Sequence, residues 1–224
     1  MTDTALREAI ARIDAITSRR GAELRFTISE AASDAALQAC EEVFKNPLPP
    51  SYRRFLQRHD GVSLKIFSQA DKDRPAELIE PAHELTVYGT AQAIDATREV
   101  RNFFNLAWES GIPYYNPERA RSFAAWGRVY GGDHRVLFAF DRPAGAEETS
   151  IVDVSLDASD WVAERTQWEP SFAASMASKG YRVVATEPVA SSVEEFLERG
   201  LAFMLAHERG FGYWYGVPDA DELW

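Results

Sequence analysis

Four histidines, one cysteine and a spaced run of aspartates are the residues of this 224-residue chain best suited to chemistry. Their spacing decides whether they do any. His59, His83, His134 and His207 fall in no paired metal-binding arrangement, and Cys40 alone cannot build a zinc cluster. Asp153, Asp157 and Asp160 lack the glycine and the closing glutamate of a calcium loop. Gly131-Gly132-Asp133-His134 offers an acid–base pair, but a hairpin turn needs the same residues for its positive φ angles. Cys40 lies on the apolar side of a helical stretch, where a small thiol is ordinary core. No glycine-rich phosphate loop and no GxSxG nucleophile elbow occurs. Paired carboxylates are everywhere in so acidic a chain and carry no catalytic information. The expectation is a protein that is not an enzyme and uses no cofactor or metal.

Charge and aromatics point to binding instead. The net charge is −11, unevenly spread. Residues 1–140 carry 18 Lys+Arg against 19 Asp+Glu, whereas residues 141–224 carry 6 against 16. Such a surface repels nucleic acid and anionic membranes and steers a basic protein partner toward itself. Excess acid also aids solubility, which would account for any single carboxylate. Near the end, Phe211, Tyr213, Trp214 and Tyr215 could stack on bases, but the surrounding charge is wrong for that. Core packing or a protein-contact patch fits them equally.

The elements that must position these residues follow from periodicity. Residues 3–17 read as a helix with Leu6, Ile10, Ile13 and Ile16 on one side, and ELRFTIS (23–29) as a half-buried strand. A helix over 33–45 comes next, with Leu37, Cys40, Val43 and Phe44 inward. VSLKIF (62–67) is a strand, 68–77 a loop, and a further strand surrounds LTVY within 78–88. Residues 90–108 form a longer helix, broken at 111–118. SFAAWGRVY (122–130) and RVLFAF (135–140) make a hairpin, and 149–156 and 181–187 add strands. The interval 157–180 reads ambiguously, with a short helix at 170–178 as one option. Residues 190–210 are the strongest helix, capped by Ser191 or Ser192 and striped by Val193, Phe196, Leu197, Leu201, Met204 and Leu205. Helices mixed with hairpin-linked strands predict a single α+β domain, a mainly antiparallel sheet flanked by helices.

Hydrophobic residues make up 46% of the chain, enough for a sizeable core. One cysteine fits a reducing compartment. The charged start MTDTALREAIARID has no apolar signal region, and no apolar run reaches the roughly 18 residues a membrane span needs. A cytoplasmic protein is expected.

One stretch is more specific than the rest. In LPPSYRRFLQRHDG (48–61), Pro49 and Pro50 launch a helix at about Ser51, because proline costs nothing in a first helical turn. Tyr52, Phe55, Leu56 and His59 share its inner face; Arg53, Arg54, Gln57 and Arg58 take the outer one. Asp60-Gly61 reads as the helix stop, with Gly61 left-handed.

This stretch resembles the signature of the SUKH superfamily, which contains bacterial toxin-immunity proteins and fungal cell-wall regulators of the Smi and Knr type. The matching positions are Glu41 and Glu42, Leu48-Pro49, Tyr52, Phe55-Leu56 and Asp60-Gly61. FAAWGRVYGGDHRVLFAFD looks like the family's central hairpin ending in Asp141, and SSVEEFLERGL looks like its closing helix with Phe196-Leu197. Val62 and Val193 stand where the family often has glycine and phenylalanine. The resemblance divides the chain into an N-terminal helix and strand (1–30), a SUKH-like domain (31–206) and an aromatic, acidic tail (207–224). It implies an immunity protein that stoichiometrically blocks a cognate toxin, often a nuclease with a basic surface. The alternative it implies is a non-enzymatic regulatory or scaffold module. Contact candidates are Glu147, Glu148, Asp153, Asp157, Asp160, Asp219, Asp221 and Glu222, with Trp214 and Tyr215 as anchors. The partner is then a basic protein, with no direct contact to nucleic acid or membrane.

Overall fold

A computed structural model describes residues 2–67, 83–109, 123–129, 134–140, 148–155 and 190–206. Its strands are β1 (Glu23–Ile28), β2 (Val62–Phe67), β3 (His83–Val87), β4 (Phe123–Val129), β5 (His134–Ala139) and β6 (Ser150–Ser155). They form one sheet in the order β1-β2-β3-β4-β5-β6. Every neighbouring pair is antiparallel. The helices are α1 (Asp3–Arg19), α2 (Asp34–Phe44), α3 (Pro50–Leu56), α4 (Thr90–Glu109) and α5 (Val193–Ala206). The expected α+β class holds. Of the sequence readings, the strand at 181–187, the helix option at 170–178 and the Gly131-Gly132 turn lie outside the described residues.

The helices start where their caps allow. Thr2 accepts from Ala5 N–H at the start of α1, and Ser33 accepts from Ala36 N–H at the start of α2, both at 3.2 Å. Ser192 accepts from Glu195 N–H at 3.1 Å and is the cap of α5. Glu195 reaches back to the Ser191 N–H at 2.7 Å, close to a capping box. The Ser191 hydroxyl and N–H hold the Glu195 carboxyl below its ordinary value. Helix α3 has no side-chain cap of its own, because Pro49 occupies that position and Pro50 the first turn.

One face of the sheet carries the core. Val62, Leu64 and Ile66 pair with Val87, Leu85 and His83, all buried. Tyr52, Phe55, Leu56, Phe44, Trp126, Phe138, Phe196 and Leu197 join the same apolar cluster as Leu6, Ile10 and Ile13 of α1. A bulge between Ala125 and Gly127 adds Trp126 to β4. Its indole stacks on Phe138 at 4.9 Å between ring centres and meets the edge of Phe196 at 4.9 Å. Gly200 lets α5 lie close to the sheet, since a Cβ there would come within 2.7 Å of Leu85.

Helix α4 takes over from strand β3 along β4. After Val87, the Tyr88 N–H still donates to Trp126 O at 2.8 Å, and the chain then turns into α4 at Thr90. The Thr97 hydroxyl accepts from Ala125 N–H at 3.0 Å and donates to Ala125 O at 3.3 Å, replacing a strand neighbour. Four residues on, Arg101 donates to Phe123 O at 3.2 Å. Four helical residues rise about 6 Å and two strand residues about 6.7 Å, so the spacings match. Arg101 also donates to Val43 O and Phe44 O, closing the C-terminal carbonyls of α2.

Tyr52 ties the signature helix to this junction. Its ring is fully buried, its hydroxyl donates to Tyr88 O at 2.7 Å, and burial raises its pKa well above the ordinary value. Tyr52→Phe leaves a buried carbonyl unpaired. The expected cost is about 1–3 kcal/mol in urea unfolding, with the native circular dichroism retained.

Candidate interaction surface

The signature stretch is built from contacts that cross the fold. Glu41 of α2 accepts from Leu48 N–H at 2.9 Å and pairs with Arg53. Burial works against ionisation there, but the Leu48 N–H and the Arg53 guanidinium hold its carboxyl below the usual range. Leu48 is buried, Pro49 precedes α3, and Tyr52, Phe55 and Leu56 face inward as the spacing predicts. His59 is also buried and lies 3.0 Å from Asp3 of α1.

Asp60-Gly61 has another role than the one read from the sequence. Helix α3 ends at Leu56 with Gln57 as its cap, so Gly61 does not close it. Gly61 has φ 109°, and a Cβ on it would come within 2.8 Å of Gly89 N. Asp60 caps α4 instead. Its carboxylate accepts from Thr90 N–H at 2.5 Å and from the Thr90 hydroxyl at 3.1 Å. A Cβ on Gly89 would meet Asp60 O at 2.2 Å, so the two glycines let two chain segments touch by backbone.

The uncapped N-terminus of α3 takes its partner from far along the chain. Glu148 accepts from Ser51 N–H at 2.6 Å and from the Ser51 hydroxyl at 3.0 Å. The same hydroxyl accepts from Val193 N–H at 3.2 Å. Ser51 therefore joins the start of α3, the approach to β6 and the start of α5. A carboxylate at this position satisfies a free N–H and opposes the positive end of the helix. Around it, Arg54 lies 3.9 Å from Glu148 and 3.5 Å from Glu194, and Arg58 lies 4.0 Å from Glu194. These pairs are half exposed and add little stability.

The sheet's second face holds a polar cluster that the sequence reading did not single out. Glu84 is buried, with its carboxylate 3.6 Å from Lys65 and 3.4 Å from Arg128 and accepting from Thr86 at 2.9 Å. Ser63 pairs with the same Thr86 at 3.0 Å. Alternation in β2 and β3 was the signal available, since these residues occupy the positions between the core ones.

Of the contact candidates, Glu148 is held within the fold as a helix cap. Asp153 lies on β6 opposite Val136. Glu147, Asp157, Asp160, Trp214, Tyr215, Asp219, Asp221 and Glu222 lie outside the described residues, as does Asp141. Cys40 is fully buried, and burial followed by the nearby Asp60 and Glu41 charges pushes its thiol up to about 12. It is a core residue, as expected, and no nucleophile at neutral pH. Among the described residues no three His, Cys, Asp or Glu side chains gather as a metal site, and no helix is long and apolar enough to cross a membrane.

An antiparallel sheet flanked by helices, with a signature devoted to internal joints, defines a domain of the α+β class. Residues 31–199 match the model of the SMI1 / KNR4 family (SUKH-1), and the chain belongs to that family. The membership supports a toxin-immunity or related protein-interaction role. No curated protein matches the chain.

Glu148 offers a direct check on this assignment of roles. Glu148→Ala uncaps α3, and the expected loss is about 1–2 kcal/mol in chemical denaturation. An unchanged midpoint would mean that the carboxylate is free for a partner.

Proposed function

We propose that this protein is an immunity protein that binds and neutralises a cognate toxin by stoichiometric inhibition in the cytoplasm. The observation that carries the reading is family membership joined to a charge asymmetry. Residues 141–224 carry 16 Asp+Glu against 6 Lys+Arg. A nuclease toxin presents a basic surface to its substrate, and an acidic inhibitor is steered to that surface and occludes it. Glu147, Asp153, Asp157, Asp160, Asp219, Asp221 and Glu222 supply the charge, and Trp214 and Tyr215 the anchoring contacts. Glu148 stays with α3. Inhibition of this kind requires no cofactor and no turnover.

The test takes the genes neighbouring this one, and pairs this protein with any that encodes a toxin-like protein. Co-expression is expected to rescue growth, with one-to-one binding that weakens as salt rises. Replacing Asp219, Asp221 and Glu222 by their amides should slow association about tenfold and flatten the salt dependence, with the melting temperature unchanged. Absence of both rescue and binding would overturn the pairing. Binding to several partners without rescue would favour a non-enzymatic regulatory or scaffold module.

A further inference from the structure

The start of α3 is held by two carboxylates from other parts of the chain. Glu41 of α2 accepts from Leu48 N–H at 2.9 Å, two residues ahead of the helix, and pairs with Arg53 within it. Glu148, on the approach to β6, takes two bonds from Ser51. The Ser51 N–H donates to one oxygen at 2.6 Å and the hydroxyl to the other at 3.0 Å. Pro49 occupies the cap position and makes no side-chain bond there. The Glu41 and Glu148 side chains are 27% and 30% exposed, so protons reach both without unfolding.

Protonation acts on the two grips differently. A carboxylate accepts on both oxygens, whereas a carboxylic acid keeps one good acceptor, so Glu148 forfeits one of its two bonds to Ser51. At Glu41 protonation removes the charge that holds Arg53. It also weakens the Leu48 bond, since a hydrogen bond to an ion is about twice as strong as a neutral one. The charged groups around these carboxylates come from several elements. Arg53 faces Glu41 from α3, and Asp60 lies near enough to act with Glu41 on the Cys40 thiol. Arg101 of α4 donates to Val43 O and Phe44 O at the end of α2. Arg54 of α3 lies 3.9 Å from Glu148 and 3.5 Å from Glu194 of α5, which Arg58 approaches at 4.0 Å.

We propose that Glu41 and Glu148 form a clamp on the start of α3 that is closed while both are ionised and opens in acid, loosening the signature helix ahead of the sheet. The clamp is a device of the fold and does not depend on the proposed partner. Its opening reaches beyond α3. The Ser51 hydroxyl that Glu148 holds also accepts from Val193 N–H at 3.2 Å, at the start of α5. Tyr52, the next residue, donates to Tyr88 O ahead of α4. Glu41 sets the direction of the pH dependence. Burial raises its carboxyl pKa, but the Leu48 N–H and Arg53 outweigh burial and leave it below the ordinary 4.5. Its contribution is therefore whole above 4.5 and is lost as the pH falls through the lowered value.

Amide hydrogen exchange on the full chain, corrected for intrinsic rates, tests the proposal as the pH falls from about 7 to about 3. The reporters are the Arg53 and Gln57 amides, bonded to Pro49 O and Arg53 O at 2.9 and 3.0 Å, with β2 and β3 as the internal reference. Their protection relative to the strands should drop about tenfold in acid. A neutral amide stands in for the protonated acid, so the double variant Glu41→Gln, Glu148→Gln should show that drop at neutral pH and little further change in acid. Each single variant should show about a threefold drop, which keeps the test available if the double variant misfolds. Far-UV circular dichroism checks that each variant folds. Wild-type α3 that keeps its protection until the strands themselves open, or Gln variants protected like the wild type at neutral pH, would overturn the proposal.

Discussion

The contact between Asp60 and Thr90 is the joint on which the rest of the structure depends. It links the end of the signature stretch to the first turn of α4, thirty residues on. The contact is possible only because Gly61 and Gly89 carry no side chains where their backbones meet. Once the start of α4 is set, its axis lies along β4, and Thr97 and Arg101 fall at the spacing that satisfies Ala125 and Phe123. Arg101 in turn seals the end of α2, whose Glu41 holds the Leu48 N–H just ahead of α3. The chain of contacts closes on itself.

That circuit explains why a sequence signature can be specific without marking a binding site. Its aromatic and aliphatic residues fill the core, its prolines start a helix, and its polar residues make caps whose donors lie elsewhere in the chain. Loss of one cap leaves a buried N–H unpaired, which costs more than a surface contact gains. Partner choice is then free to reside outside the circuit, as proposed for the acidic last third.

What could be read from the sequence was whatever has a local period or a local cap. The inward face of α3, the stripe of α5 and the extents of β2 and α2 all follow from spacing within a few residues. Asp60 was misread as part of a helix stop because Asp-Gly commonly ends helices, and a cap acting on a distant helix leaves no local trace. Glu148 looked like one surface carboxylate among many for the same reason; its donor is 97 residues away. Glu84 was overlooked because a polar residue in an alternating strand ordinarily faces water. The extra residue at Trp126 follows from packing against Phe138 and Phe196, not from strand propensity.

Amide hydrogen exchange on Asp60→Ala tests the account most directly. If Asp60 holds α4 against β4, the Ala125 amide, whose only described acceptor is the Thr97 hydroxyl, should lose protection together with Ala93 in the first turn of α4. Amides of α1 and β1 should change less. Unaltered protection at Ala125 and Ala93 would contradict the account and leave the Asp60 contact incidental.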